Sequence, residues 1–445
     1  MGRTVSALVT LGADYLGAVG PFPVDRPFWC EVAPVADGVR EALGVPVLVL
    51  RLLSVDGGEG ARGGHVTYHV EALARPADGV LVDGVLVDGG LDRRPVDLAP
   101  LTRPDPLRSA WATADGLREL LGWAAAALRE LGRPPTGPVR QRRAWNLAGL
   151  CELPTSAGLV WLKATPAFAA DEAAALTVFG AIDPGLVPTV LAAGEHRVLL
   201  ADVPGRDGWH PDEATIRAAV HRWVAAQATL ARHAAGHPDR LRAALPAALP
   251  DYRGAALADR VAALLAGPLA STAPGGLTAA ESRAATALLA GFAELDACGL
   301  PDTVVHGDFH PGNWRCPPDG PPVVLDLADA YLGNPVLDGL RLCEFLPEAS
   351  RPVAARTWVA AWRAERPAAD PAGALALGEP LAHLGYAVRY QEFLDGIEVT
   401  ERIYHEGDPA ASVREALRCA GAAPDHSLGT CSARGRARDW LRSGA

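Results

Sequence analysis

The sequence has 445 residues, of which 49% are hydrophobic, and a formal net charge of −11 at pH 7. At roughly 100 to 200 residues per domain, this length predicts two to four compact units. A negative net charge disfavours binding to the phosphate backbone of DNA or RNA and suits a cationic ligand better. We therefore expect no nucleic-acid partner.

The sequence also lacks the usual signs of membrane insertion or export. The most apolar run near the amino terminus, 47–53, is interrupted by Arg51 and falls short of the roughly 20 apolar residues that span a bilayer. The first 14 residues lack the basic and apolar regions of a secretory signal. The seven cysteines form no C-x-x-C pair, which argues against a disulfide framework and a structural zinc site. These features predict a cytoplasmic protein with no membrane association.

The first hundred residues predict a small α+β domain. Three strand-like runs lie at 5–11, 47–55 and 65–73, and one helix-like run lies at 35–43. Turns rich in Gly and Pro separate them. The proline-rich segment 95–106 is the expected boundary of this domain. We interpret residues 1–100 as an accessory domain.

The next hundred residues alternate between helical and strand-like patterns. Apolar residues at helical spacing predict helices at 113–131 and 171–179. Apolar runs bounded by turn residues predict four strands, at 144–153, 159–164, 189–193 and 197–202. From Trp209 onward the pattern is mostly helical, broken by a loop-rich section at 301–335, and residues 421–445 are expected to be a tail with little core potential.

Lysine is almost absent from the chain. Among 41 basic residues, Lys163 is the only lysine. A coding bias towards arginine accounts for positions that need only a positive charge. The surviving lysine is then a candidate for a site that requires a compact ammonium group instead of a planar guanidinium group.

The residues with the most specific chemistry are His306–Asn313, with the sequence HGDFHPGN, and Asp326 at the end of a short apolar run. Phosphoryl transfer requires a carboxylate at the attacking hydroxyl group and oxygen ligands for the Mg²⁺ ions that bridge the phosphates. Asp308, Asn313 and Asp326 supply this set. Two alternatives remain at this stage: a turn that only caps a strand, and a metal site formed by His306, Asp308 and His310.

Three segments together resemble the aminoglycoside phosphotransferase and choline kinase superfamily: HGDFHPGN at 306–313, VLDLAD at 324–329 and GNPVLD at 333–338. The resemblance implies that Asp308 is the catalytic base, that Asn313 and Asp326 bind Mg²⁺ and that His306 braces the loop. The chain departs from the residues common in the family at Leu327, Ala328 and Trp314. These departures concern the expected contacts with substrate and not the catalytic residues.

The same resemblance assigns nucleotide-binding roles upstream. It implies that Lys163 holds the α- and β-phosphates of ATP, with Glu172 as its partner and Asp171 as the alternative partner. It also implies that Asp202 and Val203 lie in the segment whose backbone meets the adenine. Each of these residues also has a simpler interpretation. Lys163 could be a solvated strand end and Glu172 a helix-surface carboxylate. Asp202 and Val203 could belong to a plain strand and turn.

The resemblance covers about 140–410 and implies an α+β, bilobal protein-kinase-like fold. Its strand-rich small lobe is expected at 107–205 and its helical large lobe, which contains the catalytic loop, at 206–420. Acidic and aromatic residues in the C-terminal helical part are expected on one helical side, where they would suit a cationic or sugar-bearing acceptor. They are Tyr386, Tyr390, Glu392, Phe393, Asp395, Glu398, Glu401 and Tyr404. A solvated helix face is the alternative reading.

The predicted function is transfer of the γ-phosphate of ATP to a hydroxyl group of a small molecule, with Mg²⁺ as cofactor and an antibiotic or aminosugar as the leading acceptor class. Antibiotic resistance is the corresponding biological role. The alternative is a nucleotide-binding pseudokinase that acts as a regulatory or scaffold module. No pattern in the sequence identifies the acceptor, the preference between ATP and GTP or the oligomeric state.

Overall fold

The computed structural model describes residues 2–77, 85–86, 101, 103–234, 249–270, 272 and 275–421. The chain divides into two compact units. The N-terminal unit comprises Met1–Ala167, Leu191–Asp202 and Gly396–Tyr404, and the C-terminal unit comprises Phe168–Val190, Val203–Asp395 and His405–Ala445. The first contains most of the strands and the second most of the helices. The predicted α+β fold class is confirmed.

The first sheet of the N-terminal unit has the strand order β3-β4-β1-β2-β5. Its strands are β1 Arg3–Leu11, β2 Asp14–Val24, β3 Val47–Asp56, β4 His65–Ala72 and β5 Val85–Leu86, with helix α1 at Ala33–Leu43. The predicted strands at 5–11, 47–55 and 65–73 and the helix at 35–43 are confirmed. Strand β2 was missed because its glycines and prolines are typical of turns.

The second sheet has the order β6-β7-β8-β10-β9. Its strands are β6 Arg140–Trp145, β7 Ala148–Thr155, β8 Gly158–Ala164, β9 Val190–Gly194 and β10 Arg197–Ala201, and helix α2 spans Ala114–Glu130. The prediction of one strand over 144–153 is wrong, because the chain turns at Asn146 and Leu147 between β6 and β7. The apolar character continues through the turn, so the pattern alone did not reveal it.

The two sheets of the N-terminal unit share one hydrophobic core. Leu48 and Leu50 of β3 lie in the same buried cluster as Leu162 of β8 and Leu199 of β10. The sheets are also joined by a side chain, since the Gln141 amide accepts from the Val49 N–H at 2.8 Å and donates to the Val49 carbonyl at 2.7 Å. The first sheet therefore packs directly against the sheet that carries Lys163.

A segment near the carboxyl end completes this unit. Glu398 is buried and contacts Arg51 at 3.4 Å and Arg108 at 2.9 Å. Tyr404 packs edge-on against Trp29 and Trp145, with ring centroids 5.6 Å apart in both pairs. The buried ion pairs and aromatic contacts attach Gly396–Tyr404 to the N-terminal unit.

The C-terminal unit is mainly helical. Its helices are α3 Glu172–Ile182, α4 Glu213–Ala234, α5 Gly254–Ala266, α6 Ala279–Ala287, α7 Gly291–Ala297, α8 Val336–Phe345, α9 Arg351–Glu365, α10 Pro371–Gly396 and α11 Asp408–Gly421. Two small sheets have the orders β11-β14-β15 and β12-β16-β13. Their strands are β11 Arg206–Asp207, β12 Asp251–Tyr252, β13 Thr303–Val305, β14 Trp314–Cys316, β15 Val323–Val324 and β16 Tyr331–Gly333.

The core of the C-terminal unit contains a stack of aromatic rings behind the 306–313 loop. Trp223 of α4 stacks on Phe179 at 4.3 Å and on Phe309 at 5.4 Å between ring centroids. All three side chains are buried, and such pairs add to the free energy gained from burial alone. Across the described ranges, no helix combines the length and apolar character needed to cross a membrane. The predicted tail at 421–445 lies outside the described residues, except for Gly421 at the end of α11.

Candidate active site

A buried carboxylate holds the loop at 306–313 in place through hydrogen bonds to its backbone. Asp338, in the first turn of α8, accepts hydrogen bonds from the backbone N–H groups of His306 at 3.0 Å and Gly307 at 3.2 Å. It also accepts from Trp223 Nε1 at 2.8 Å and Gln227 Nε2 at 2.9 Å. Burial raises the pKa of Asp338, and the interactions with His306, Trp223 and Gly307 oppose that rise. Sequence analysis placed Asp338 in a family motif and gave it no role.

Two glycines allow the close approaches that shape this loop. Gly307 has φ +84°, and a Cβ atom there would lie 2.2 Å from the Asp329 carbonyl oxygen. At Gly312 a Cβ atom would meet Trp209 at 2.2 Å. The backbone path therefore requires glycine at 307, while glycine at 312 leaves room for the Trp209 ring.

His306 joins the loop to the strand that precedes Asp326. Its Nδ1 accepts from the Asp308 N–H at 3.2 Å, so Nε2 carries the proton and donates to the Leu325 carbonyl at 2.9 Å. The ring is fully buried. In this position it fixes the backbone on both sides of the site.

Asp308 is held by three donors. Its Oδ1 accepts from Arg341 Nε at 2.8 Å, and its Oδ2 accepts from His310 Nε2 at 3.1 Å and Asn313 Nδ2 at 3.2 Å. Burial acts to raise the pKa of Asp308, but His310 and Arg341 outweigh it and hold the pKa well below its ordinary value. Asp308 is therefore ionised at neutral pH, and its side chain is 24% exposed.

The alternative metal site formed by His306, Asp308 and His310 is wrong. His310 Nδ1 accepts from the Gly312 N–H at 3.0 Å, which leaves the proton on Nε2 to bond Asp308. His306 likewise uses both ring nitrogens within the loop. Because a metal needs an unprotonated nitrogen with a free lone pair, neither imidazole is available as a ligand.

Asn313 and Asp326 are suited to a hard cation. Asn313 Nδ2 donates to the Asp308 carbonyl at 3.0 Å and to its carboxylate, while the amide oxygen accepts no hydrogen bond from the described residues. The Asn313 carbonyl accepts from the Leu325 N–H at 2.7 Å, which places Asp326 next to this residue. Asp326 has φ +63°, a conformation that is uncommon for residues other than glycine. Two side chains with oxygen donors fit Mg²⁺, which takes its remaining ligands from phosphates and water.

Glu172 lies in the first turn of α3 and is 4% exposed. Its Oε1 accepts from the Leu327 N–H at 3.1 Å, so the carboxylate lies beside the backbone that follows Asp326. The helix-surface interpretation of Glu172 is therefore wrong. Asp171, the alternative partner of Lys163, caps α3 by accepting from the Ala174 N–H at 3.0 Å. The pairing of Glu172 with Lys163 stays a prediction.

The predicted nucleotide-binding residues of the N-terminal unit are Lys163 and Asp202. Lys163 lies in β8 opposite Leu150 and Val198 of the neighbouring strands and is 7% exposed, so its interpretation as a solvated strand end is wrong. Asp202 Oδ1 accepts from Trp161 Nε1 at 2.8 Å. This hydrogen bond holds the Asp202 side chain, and contact of this segment with a nucleotide stays a prediction.

Val203, the other residue of the predicted adenine segment, belongs to the C-terminal unit. Its carbonyl oxygen accepts from Arg315 Nε at 3.3 Å. Sequence reasoning identified the segment and could not detect this partner, which comes from a strand more than a hundred residues later.

The acidic and aromatic residues predicted as one acceptor surface are divided. Helix α10 carries Tyr386, Tyr390, Glu392, Phe393 and Asp395, but Glu398, Glu401 and Tyr404 lie beyond its end in the N-terminal unit. There Glu398 pairs with arginines and Tyr404 packs against tryptophans. The expectation of one helical side is wrong for these three residues, because the helix ends at Gly396.

Two arginines near the loop were missed by sequence analysis. Arg341 of α8 bonds Asp308, as described above, and Arg389 of α10 bonds Asp329 through Nη2 at 2.7 Å. Both arginines lie on helices. Arg341 follows Asp338 by one turn of α8, so helical spacing alone places these two side chains next to each other on the helix surface. The predominance of arginine in the chain concealed them.

About half of the chain matches a known protein family. Residues 161–372 match the phosphotransferase enzyme family. The matched range begins in β8 just before Lys163 and includes Glu172, the whole loop at 306–313 and Asp326. The resemblance to the aminoglycoside phosphotransferase and choline kinase superfamily is confirmed by this match. No curated protein sequence matches the chain.

Several solved structures align with about 70% of the chain at low identity. A choline/ethanolamine kinase family protein from Mesorhizobium loti is 17% identical, with 73% of this chain and 100% of that chain covered and a TM-score of 0.46. A putative aminoglycoside phosphotransferase from Ralstonia eutropha is 17% identical, with coverage of 69% and 99% and a TM-score of 0.46. A macrolide 2′-phosphotransferase from Brachybacterium faecium is 18% identical, with coverage of 68% and 99% and a TM-score of 0.42. The assignment rests on the family match alone.

Proposed function

We propose that this chain transfers the γ-phosphate of ATP to a hydroxyl group of an antibiotic or an aminosugar. The match of residues 161–372 to the phosphotransferase enzyme family supports a small-molecule kinase. The observation that supports this proposal most strongly is the arrangement of Asp308, Asn313 and Asp326. Hydrogen bonds link Asn313 to Asp308 and to Leu325, the residue before Asp326. A carboxylate, an amide oxygen and a second carboxylate are the groups that phosphoryl transfer requires.

In this proposal Asp308 orients the attacking hydroxyl group. The carboxylate is ionised and partly exposed, so it can accept the hydrogen bond of the acceptor and align its oxygen with the phosphorus atom. Phosphoryl transfer depends mainly on such alignment and on charge stabilisation. The bonds from His310 and Arg341 fix the carboxylate before the acceptor binds.

Asn313 and Asp326 would hold Mg²⁺ through side-chain oxygens. When bound, the ion neutralises the charge that develops on the phosphate oxygens. His306 and Asp338 keep the two ligands in place, because one ties the loop to Leu325 and the other anchors its first backbone groups. Lys163 would hold the α- and β-phosphates, with Glu172 as its partner, and the backbone of Asp202 and Val203 would meet the adenine.

A pseudokinase that only binds nucleotide is the second candidate. It would have no need for an ionised, partly exposed carboxylate beside the metal ligands, and the structure retains that group at Asp308. The complete set therefore favours an active phosphotransferase.

A screen of ADP formation tests the proposal. The full chain is incubated with Mg²⁺ and ATP, or with GTP to measure nucleotide preference. The acceptors are aminoglycosides, macrolides, nucleoside antibiotics, aminosugars, neutral sugars and amino alcohols. We expect acceptor-dependent ADP formation that Asp308→Asn abolishes. Nucleotide binding without ADP formation across the whole panel would favour the pseudokinase.

A further inference from the structure

Arg341 occupies an unusual position beside the proposed base. Its Nε donates to Asp308 Oδ1 at 2.8 Å and its Nη1 donates to Glu344 Oε2 at 3.0 Å. The guanidinium carbon lies 4.3 Å from the ring centroid of Phe345 and 4.9 Å from that of Tyr386. The side chain is 12% exposed. Carboxylates and aromatic faces thus surround a cation that belongs to the protein itself.

A site built from these groups would otherwise suit a cationic ligand. Aromatic faces and carboxylates are the usual receptors for ammonium groups, and one of these residues, Tyr386, was predicted to contact a cationic acceptor. In the structure the guanidinium group already makes those contacts. An ammonium group placed beside Asp308 would meet a like charge at short distance, in a partly buried setting where repulsion is strong.

The guanidinium group still has donors to offer. Among the described residues, nothing accepts a hydrogen bond from Nη2, and the side chain retains some exposure. A planar guanidinium group with two nitrogens fixed presents its third nitrogen in a defined direction. A neutral oxygen atom is a suitable partner at that point.

We propose that Arg341 selects the acceptor, so that the reacting hydroxyl belongs to a vicinal diol of a sugar-like molecule and not to an amino alcohol. This inference rests on the proposed function. The reacting hydroxyl donates to Asp308, while the oxygen on the adjacent carbon accepts from Arg341 Nη2. In choline or ethanolamine the adjacent carbon carries nitrogen, which would face the guanidinium charge. An amino group elsewhere on a sugar is compatible with this arrangement.

The test compares two acceptor classes with the full chain. Values of kcat/KM are measured for glucose, glucosamine and myo-inositol, and for choline and ethanolamine, through ADP formation. The variants are Arg341→Gln and Arg341→Lys. Arg222→Gln is the matched control, since Arg222 bonds Asp183 through two nitrogens, each at 2.8 Å, away from the loop. Melting temperatures show whether each variant folds.

The wild type should prefer at least one vicinal diol over both amino alcohols by about tenfold or more. Arg341→Gln should lower kcat/KM for the diol and narrow that preference, because Asp308 and Glu344 become available to an ammonium group. Arg341→Lys keeps the positive charge, so kcat/KM for the amino alcohols should stay low, while kcat/KM for the diol should fall because the Nη2 donor is lost. Arg222→Gln should match the wild type in its preference.

Three results would overturn the inference. The first is a wild-type preference for amino alcohols, and the second is a folded Arg341→Gln variant with an unchanged preference. The third is turnover of other panel compounds but of no vicinal diol, which would leave the proposed function standing. Absence of ADP formation with every compound would instead overturn the proposed function. Since the wild-type preference is measured without any substitution, the test does not depend on whether Arg341→Gln folds.

Discussion

The buried carboxylate of Asp338 accepts a hydrogen bond from the backbone N–H of His306 at 3.0 Å, and this contact sets the position of the loop that carries the proposed catalytic group. Three further donors converge on the same carboxylate. The structure therefore assigns loop geometry to a residue some thirty positions downstream of the loop.

Replacing Asp338 should affect both stability and turnover. In Asp338→Asn one of the two acceptor oxygens becomes an NH₂ group, which faces N–H donors and leaves them unsatisfied. We expect the free energy of unfolding to fall by about 1–3 kcal/mol and ADP formation to fall with it. Urea unfolding and an ADP assay measure the two effects. The exposed Asp319 provides the control Asp319→Asn, and equal stability of the two variants would contradict the anchoring role.

The pairing of Lys163 with Glu172 can be separated from the structural role of Glu172. Glu172→Gln keeps an oxygen for the Leu327 N–H, so the melting temperature should change little, while loss of the charge should lower kcat/KM for ATP. Asp171→Asn retains a helix cap and should leave both quantities unchanged. If instead Asp171→Asn lowers kcat/KM for ATP and Glu172→Gln does not, Asp171 is the partner of the lysine.

The metal assignment predicts dependence on nucleotide. Because two side chains do not complete the coordination shell of Mg²⁺, calorimetry should detect Mg²⁺ binding only when ATP or ADP is present. Asp326→Ala should weaken the affinity for ATP in the presence of Mg²⁺ and change it little after removal of the metal with EDTA. Tight Mg²⁺ binding in the absence of nucleotide, or unchanged ATP affinity in Asp326→Ala, would count against the assignment.

Stability should depend on pH through Glu401 of the N-terminal unit. Burial raises the pKa of this carboxyl group from 4.5 to about 8, with Glu398 adding to the effect. Between about pH 4.5 and pH 8, the folded state keeps a proton on Glu401 that the unfolded state has released. The free energy of unfolding should therefore decrease as the pH rises through this range. Glu401→Gln should flatten that decrease in melting temperature. The exposed Glu406 offers the control Glu406→Gln, and identical pH profiles for Glu401→Gln and the wild type would exclude the effect.

The sequence was most informative about residues whose site position depends only on their neighbours in the chain. The motif at 306–313 and Asp326 could be recognised because their spacing follows from one loop and one short strand. Asp338 and Arg341 could not be assigned roles, since their contacts with the loop depend on how α8 packs against it. Arginine was also too common in this chain for a single one to stand out.

The fold was predictable to a similar extent. Strong periodicity identified β1, β3, β4, α1 and α2, whereas Gly and Pro hid β2 and an apolar turn hid the break at Asn146. The attachment of Gly396–Tyr404 to the N-terminal unit relies on buried pairs such as Glu398 with Arg108. Contacts between residues so distant in sequence leave no periodic signal.

The most direct test of the central claim is the variant Asp308→Asn, measured for melting temperature, ATP affinity and turnover. The Asn side chain can still accept from Arg341, but its NH₂ group faces the donors of His310 and Asn313, and the charge that aligns the acceptor is lost. The account predicts a lower melting temperature, nearly unchanged ATP affinity and a fall in turnover of about 10² to 10⁴. A variant that melts early yet retains near-normal specific activity would contradict it.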